Sequence, residues 1–315
     1  MKLHIYDSVK KEKVEFNSIV PNVAKIYVCG PTVYDDSHLG HARSAIAFDL
    51  LHRVLKANDY EVIMTKNFTD IDDKIIKKMH ETSKPLEEIT TTYINTYKSD
   101  MNALNILPNS IEPKATENLE SMKVMISNLM QKDIAYKTSD SVYFDTSKDN
   151  SYGSLSNKAS DENSIARVEG NIEKRNPSDF ALWKFAKTND VSFEAPFGLG
   201  RPGWHIECSA CNLKYFWAQI DIHMWWIDNI FPHHQNEIAQ SEAYTWKQFS
   251  KYWLHSGHIT VDGKKMSKSL NNFYTLKDLE EKFSNISKSV LYRAIRLSFI
   301  NAKYRESVDF SFSKL

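Results

Sequence analysis

Two stretches near the N-terminus decide the fold: KIYVCG, residues 25–30, and HLGHARSAIAFDLLHRVL, residues 38–55. The first has the apolar character of a buried strand, and the second repeats apolar residues at helical spacing. A strand, a tight turn and a helix N-terminus form a phosphate site, because unpaired backbone N–H groups and the helix dipole favour an anion there. The order predicts a nucleotide-binding α/β fold with His38, Gly40 and His41 at the phosphates.

A basic motif further along the chain supports a nucleotide site. It reads VDGKKMSKS, residues 261–269, and offers lysines and hydroxyl groups on a predicted loop. Lysine ammonium groups suit the β and γ phosphates of a nucleotide. Lys265 and Lys268 are therefore candidate phosphate ligands, and the two motifs together indicate ATP.

Length and composition limit the class of protein. The chain has 315 residues, equal numbers of basic and acidic residues, and three cysteines. It is long enough for a substantial core, its balanced charge leaves nucleic-acid binding to a local patch, and an odd cysteine count disfavours a disulfide framework. It has neither a run of about twenty apolar residues nor a signal-peptide core. We expect a cytoplasmic protein with no membrane partner.

Strand and helix signals predict a Rossmann-type parallel sheet interrupted by an insertion. Strands are expected at 61–65, 141–144, 220–223 and 252–255, and helices at 72–79, 116–133, 233–246, 276–283 and 287–298. The expected domain order is the first half of the catalytic domain at 1–110, a connective insertion at 111–200, the second half at 201–262, and the basic loop with a short helical segment at 263–315.

The side chains of Cys29, Cys208, His233 and Glu237 form a candidate metal site. His233 and Glu237 are spaced i, i+4 on a predicted helix, so their side chains share one face. Two thiolates, an imidazole and a carboxylate suit zinc. Alternatively, the cysteines are small buried hydrophobes and His233 is a core histidine. Cys211 completes a CxxC pattern with Cys208, which is a weak zinc signal without a second pair.

Segments distributed along the chain resemble cysteinyl-tRNA synthetases, which are class I aminoacyl-tRNA synthetases. They are YVCGPTVYD at 27–35, NFTDIDDK at 67–74, RPGWHIECS at 201–209 and FPHH at 231–234. The resemblance implies a cysteine–tRNA ligase that activates L-cysteine with ATP and Mg²⁺ to cysteinyl-adenylate and transfers the cysteine to tRNA(Cys).

The resemblance also implies one Zn²⁺ per chain, at positions matching Cys29, Cys208, His233 and Glu237. In that family the ion takes the substrate thiolate as a further ligand. This selects cysteine over serine without editing, whereas pocket contacts alone discriminate modestly between such near-isosteres. A set of four protein ligands could equally be a closed structural site, so the functional interpretation requires the ion to expand its coordination or to loosen one ligand.

Amino-acid and ribose contacts follow from the same resemblance. Thr69 and Trp204 would line the amino-acid pocket, and Asp228 would hold the ribose of ATP. Each residue also has a structural explanation: a helix cap for Thr69, a core aromatic for Trp204 and a turn for Asp228.

Phosphate contacts are implied as well. His38 and His41 would stabilise the α-phosphate during attack by the cysteine carboxylate, and Lys268 with Lys265 would hold the departing pyrophosphate.

Tryptophans replace glycines where the family pattern brings a glycine-rich loop to adenosine. The segment reads IHMWWID, residues 222–228, and an indole at Trp225 or Trp226 would fill space that glycine leaves open. Trp217 and Trp246 also stand where glycine would be unsurprising. The chain has nine glycines, against roughly twenty-two at the average usage of about 7%. Because some bacteria read UGA as glycine, we hypothesise that several of these tryptophans are glycines of a recoded gene.

Length is the second departure, because family members continue into a helical anticodon-binding domain that we expect to be absent here. Two alternatives to the tRNA ligase stay open. One is a ligase that passes activated cysteine to a small amine, as mycothiol ligases do. The other is an inactive zinc-binding paralogue or fragment whose adenosine site is closed by Trp225 and Trp226, although the intact phosphate motifs argue against it.

Overall fold

The computed structural model describes residues 2–155, 173–188, 190–267, 270 and 272–314. Its strands are β1 (His4–Asp7), β2 (Glu12–Glu15), β3 (Val23–Val28), β4 (Glu61–Lys66), β5 (Ala135–Lys137), β6 (Ser141–Phe144), β7 (Phe180–Phe185), β8 (Gly200–Pro202), β9 (Ile220–Trp226), β10 (Ser250–Ser256), β11 (Ile259–Val261), β12 (Lys264–Lys265) and β13 (Val308–Phe310). Its helices are α1 (Leu39–Ala57), α2 (Asp73–Thr82), α3 (Leu86–Ala103), α4 (Leu119–Gln131), α5 (Trp204–Phe216), α6 (Gln235–Thr245), α7 (Leu276–Lys282) and α8 (Lys288–Ile300).

A parallel sheet in the order β10-β9-β3-β4 forms the centre of the fold. Ile26 of β3 pairs with Met64 of β4 on one side and with Ile222 of β9 on the other, and all three are buried. Continuous apolar strands of this kind are expected where both faces of a parallel sheet are covered. The predicted α/β class with a parallel sheet is confirmed.

The strand order creates a crevice between β3 and β9. The chain proceeds outward from β3 to β4 in one direction and from β9 to β10 in the other. In open α/β sheets, ligands bind beyond the carboxyl ends of the strands at such a switch point. The fold therefore directs a ligand to the residues that follow Val28 and Trp226.

A second, antiparallel sheet in the order β5-β6-β7-β8 lies within residues 135–202. It shares a core with α4 and α5, in which Phe144 and Phe180 stack with ring centroids 5.0 Å apart. This sheet covers most of the span where the sequence predicts an insertion; the exact domain boundaries stay a prediction.

The last part of the chain returns to α1. A three-stranded sheet in the order β12-β11-β13 follows the parallel sheet, and the buried Arg43 of α1 donates to the backbone oxygen of Phe299 in α8 at 2.7 Å. The segment after the basic motif is held at the start of α1 by backbone hydrogen bonds from the Leu39 N–H to the Tyr274 oxygen at 3.1 Å and from the Leu276 N–H to the Ser37 oxygen at 2.9 Å. None of the described helices has the length and apolar character that a membrane span requires.

Candidate active site and metal centre

The candidate metal ligands converge beside the crevice from different elements. Cys29 directly follows β3, Cys208 lies in α5, His233 lies in a π-helical turn at Ile230–His234, and Glu237 is in the first turn of α6. All four are almost completely buried. The sequence predicts one helix for His233 and Glu237; a turn followed by α6 carries them instead, and it still brings the two side chains together.

Short distances join these side chains into one cluster. The Sγ atoms of Cys29 and Cys208 are 3.7 Å apart, and Cys208 Sγ lies 3.7 Å from His233 Nε2. Glu237 Oε1 lies 3.0 Å from His233 Nε2 and 3.4 Å from Cys29 Sγ. With all four ligand atoms within 4.8 Å of one another, the cluster is a candidate metal-binding site.

The electrostatics of the cluster favour a bound cation. Burial raises the pKa of Cys208, but the Cys29 hydrogen bond and His233 outweigh it and lower this pKa to about 7. Burial likewise opposes ionisation of Glu237, yet His223 and His233 lower its pKa to about 2. Despite burial, Glu237 and Cys208 raise the pKa of His233 to about 9. The buried negative charge of Glu237 and Cys208 stabilises a proton on His233. A metal ion could compensate the same charge, so this set of side chains fits a metal site.

Trp204 separates this cluster from a large cavity. Its indole stacks on the His233 ring with centroids 4.2 Å apart, and the His205 and His233 Nδ1 atoms are 2.8 Å apart, so Nε2 of His233 faces the cluster. The cavity has a volume of about 720 Å³ and is lined by residues of α5, β7 and the turn before α6. A small amino acid entering it would meet Trp204 and then the cysteine side chains of the cluster.

Thr69 lies on the same side of the crevice, where its Oγ1 donates to Glu207 Oε2 at 2.7 Å. Near Thr69 the backbone at Gly30 packs directly against the backbone at Asn67. Only glycine fits there, because a Cβ on residue 30 would lie 1.3 Å from the backbone oxygen of Asn67. Glu207 is 1% exposed, burial raises its pKa well above the usual range, and its Oε1 has no hydrogen-bond partner within the described part of the chain.

Glu207 was not singled out from the sequence. Its position between Trp204 and Cys208 in the RPGWHIECS segment was the available signal, and its unpartnered oxygen makes it a further candidate for the amino-acid pocket. His205, His223 and His234, also buried around the cluster, were missed because their spacing carries no metal signature.

His38 and His41 cap the N-terminus of α1. His38 Nδ1 accepts from the Gly40 N–H at 3.1 Å, and His41 Nδ1 accepts from the His38 N–H at 3.2 Å. A neutral imidazole that accepts at Nδ1 carries its proton on Nε2. Burial, with His38 and Lys66, keeps the pKa of His41 well below its usual range. The arrangement provides Nε2–H donors at the positive end of a helix.

Asp228 and Lys265 meet across a cavity of about 190 Å³ that His38 also lines. The Asp228 carboxylate pairs with Lys265 Nζ at 2.9 Å and with His258 Nε2 at 3.5 Å. The structure therefore brings the predicted ribose ligand Asp228 and the predicted phosphate ligand Lys265 together with His38. Lys268 lies outside the described residues.

The indole of Trp226 lies against the two histidines at the start of α1. Its ring centroid lies 5.4 Å from that of His38 and 5.3 Å from that of His41, and it stacks on Trp225 at 5.3 Å. Trp226 lines both the cavity of Asp228 and a neighbouring cavity of about 360 Å³ that contains Trp204. Its Nε1 finds no hydrogen-bond partner among the residues described. Trp204 and Asp228 also line the cavity of about 720 Å³ together, so the indole takes up space beside the two histidines without separating these two residues.

Trp217 and Trp246 end α5 and α6 in backbone conformations that favour glycine. Trp217 has φ 69° and ψ −141°, and Trp246 has φ 58° and ψ 26°. Their side chains are largely exposed, at 74% and 76% of their surface. A left-handed residue after a helix is most often glycine, because a Cβ is strained there.

Replacing Trp217 and Trp246 with glycine is expected to stabilise the chain. Each substitution should raise the free energy of unfolding by roughly 1 kcal/mol, because it removes strain of about that size at a left-handed position. Urea denaturation measures the change. Trp217→Ala and Trp246→Ala are the matched controls, because alanine removes the indole but keeps the Cβ. Equal effects of alanine and glycine would contradict the backbone explanation.

Comparison with known proteins shows which family the chain belongs to. The family model described as the catalytic domain of class I (C) tRNA synthetases matches residues 15–315. Curated cysteine–tRNA ligases are similar throughout: that of Aliarcobacter butzleri is 65% identical over 98% of this chain, and that of a Sulfurovum species is 53% identical over 98%. The chain spans 66% of the length of each.

A solved structure supports the fold. The methionyl-tRNA synthetase of Mycobacterium tuberculosis in complex with methionyl-adenylate superposes with a TM-score of 0.69 at 13% identity, covering 92% of this chain and 67% of the other. Similarity at this identity concerns the fold alone.

Proposed function

Because the chain belongs to the family of class I (C) tRNA synthetase catalytic domains, we propose that it activates L-cysteine with ATP and transfers the cysteine to tRNA(Cys). The observation that carries the proposal is the buried cluster of Cys29, Cys208, His233 and Glu237, which lies behind Trp204 at the nucleotide-binding edge of the sheet. We also propose the cytoplasm as its compartment, where tRNA is charged.

Cys29, Cys208, His233 and Glu237 would hold Zn²⁺. When bound, zinc prefers a thiolate to an alcohol as ligand and so supplies the selection of cysteine over serine. Trp204 packs against His233 at the cavity side of the cluster and would exclude water from the substrate side chain. Thr69 and Glu207 would orient the amino group.

Glu207→Gln is expected to weaken cysteine binding. The free Oε1 is suited to accept from the α-ammonium group. The glutamine oxygen could still accept, but it lacks the carboxylate charge, and a charge-assisted hydrogen bond contributes about 1.5–3 kcal/mol. The KM for cysteine should therefore rise at least roughly tenfold while the KM for ATP stays unchanged. Glu120→Gln, on the exposed surface of α4, is the control. An unchanged KM for cysteine in a folded Glu207→Gln chain would remove Glu207 from the pocket.

ATP would lie with its phosphates at the start of α1. The Nε2–H groups of His38 and His41 are positioned to stabilise charge on the α-phosphate as the cysteine carboxylate attacks and pyrophosphate leaves. Asp228 would hold the ribose, which requires its ion pair with Lys265 to open and frees Lys265 for the pyrophosphate. Lys268 would join Lys265 there, and Mg²⁺ would accompany the nucleotide.

Aminoacylation tests the proposed function. The chain is mixed with tRNA(Cys), ATP and labelled cysteine, and cysteine ester-linked to the tRNA is measured; serine is the control. Charging with cysteine alone supports the proposal. Cysteinyl-adenylate that passes to added small amines but never to tRNA would instead favour the small-amine ligase.

Trp226 favours one second candidate, a protein that binds a metal without turning over ATP. The indole lies against His38 and His41 and lines two cavities of the crevice, where it would take up space that the nucleoside of an adenylate needs. This candidate predicts metal binding with no nucleotide binding.

A further inference from the structure

We propose that the metal centre has a second, deeper ion position formed by Cys29, His223, His234 and Glu237, and that a single ion can occupy either position. The ligand atoms of these residues also lie within 4.8 Å of one another, and all are buried. His234 Nε2 is 3.4 Å from Cys29 Sγ, and His223 Nε2 is 2.7 Å from Glu237 Oε2.

The carboxylate of Glu237 faces both positions. Its Oε1 contacts Cys29 and His233, the ligands on the Trp204 side, whereas its Oε2 contacts His223 on β9. An ion could therefore move from one oxygen to the other while it keeps Cys29 and Glu237. Two divalent ions this close in a dry site would repel strongly, so one ion is expected at a time.

The two deeper histidines are held in different ways. His234 Nδ1 lies 2.8 Å from His255 Nε2, and a contact at the second ring nitrogen is how the orientation of an imidazole ligand is commonly fixed. Nδ1 of His223 has no hydrogen-bond partner within the described part of the chain, and this ring instead stacks on Trp253 with centroids 4.6 Å apart. Both histidines present Nε2 to the cluster.

An ion in the deeper position has exchanged Cys208 and His233 for His223 and His234, so it has four protein ligands in either position. The exchange would release Cys208 and His233 on the Trp204 side of the cluster, where the substrate would enter. This consequence rests on the proposed function, whereas the existence of the deeper position does not.

Cobalt binding to the metal-stripped chain tests the proposal without any measurement of activity. Co²⁺ is titrated while the visible bands and the thiolate-to-cobalt charge-transfer band are recorded. Cys208→Ala/His233→Gln removes the ligands unique to the outer position, and His223→Gln/His234→Gln removes those unique to the deeper one. Circular dichroism establishes that each variant is folded.

Each double variant is expected to bind one equivalent of Co²⁺. The charge-transfer band of Cys208→Ala/His233→Gln should have about half the intensity of that of His223→Gln/His234→Gln, because one thiolate is present instead of two. Cys29→Ala/Glu237→Gln, which affects both positions, should bind at least roughly 100-fold more weakly. A folded Cys208→Ala/His233→Gln chain that binds no cobalt, or two equivalents bound by the unaltered chain, would overturn the proposal. Should a glutamine variant not fold, Cys208→Ala/His233→Asn or His223→Asn/His234→Asn repeats the measurement at the same position.

Discussion

Trp225→Gly/Trp226→Gly is expected to tighten ATP binding roughly 100-fold, a gain of about 2.7 kcal/mol. The Trp226 indole lies against His38 and His41 and lines both the cavity of Asp228 and Lys265 and a neighbouring cavity that contains Trp204. Glycine removes the indole from this space and lets the backbone approach the nucleoside closely. Isothermal titration calorimetry with ATP and a non-hydrolysable analogue measures the change.

Trp225→Phe/Trp226→Phe is the matched control, because it keeps an aromatic ring in the same place and should gain little affinity. If the glycine variant binds ATP no better than the unaltered chain, the indole does not limit access, and the metal-binding candidate loses the observation that favours it.

Peptide sequencing independently tests the hypothesis that these tryptophans are glycines of a recoded gene. Peptides from the protein made in its own host should show glycine at positions 217, 225, 226 and 246. The backbone angles of Trp217 and Trp246 and the position of Trp226 all motivate this expectation. Tryptophan at all four positions in the natural peptides would rule out recoding.

Cys29→Ala is expected to lower kcat/KM for cysteine activation by at least roughly 100-fold. Cys29 belongs to both groups of candidate metal ligands, so its loss should weaken metal binding wherever the ion lies. Without the ion, a pocket rejects a near-isostere only about 100-fold, so the preference for cysteine over serine should fall toward that value. Metal content by mass spectrometry and adenylate formation with each amino acid measure the two effects.

Cys211→Ala provides the control, since Cys211 is equally buried but belongs to neither ligand group. It should keep metal and selectivity. Equal losses in Cys29→Ala and Cys211→Ala would indicate damage to the core rather than removal of a ligand.

Metal affinity should also fall as the pH is lowered. Burial, together with the Cys208 and Glu237 neighbours, raises the pKa of Cys29 well above its usual range, so metal binding must release a proton from this thiol. Release of protons on binding makes affinity increase with pH. A metal affinity independent of pH between about 6 and 8 would contradict thiolate ligation by Cys29.

The parallel sheet could be predicted because the residue patterns of β3 and α1 are each typical of one kind of secondary structure. Apolar residues fill β3, and α1 repeats apolar residues at helical spacing, so each element is specified by its own sequence. By contrast, α3 was not predicted, because its threonines and tyrosines have modest helix propensity. Its helical conformation depends instead on the packing of buried side chains, among them Ile89, Ile94, Tyr97 and Met101.

The candidate site was predictable only where motifs carried it. The sequence suggested Cys29, Cys208, His233 and Glu237 as a group, and the structure brings them together. The position of Glu207 in the RPGWHIECS segment was a signal, but neither this segment nor the spacing of His223 and His234 shows which oxygen or nitrogen atom contacts which neighbour. Those contacts depend on how β9, α5 and α6 pack against one another, and no local sequence pattern encodes that packing.

Cysteine-dependent ATP–pyrophosphate exchange most directly tests whether a metal centre at this site selects a thiol for activation. The chain and its Trp225→Gly/Trp226→Gly variant are assayed with cysteine, with serine, and with cysteine after metal removal. We predict exchange with cysteine in the glycine variant, none with serine, and loss on metal removal that added Zn²⁺ reverses. Equal exchange with both amino acids, or exchange with cysteine that survives complete metal removal, would contradict the account.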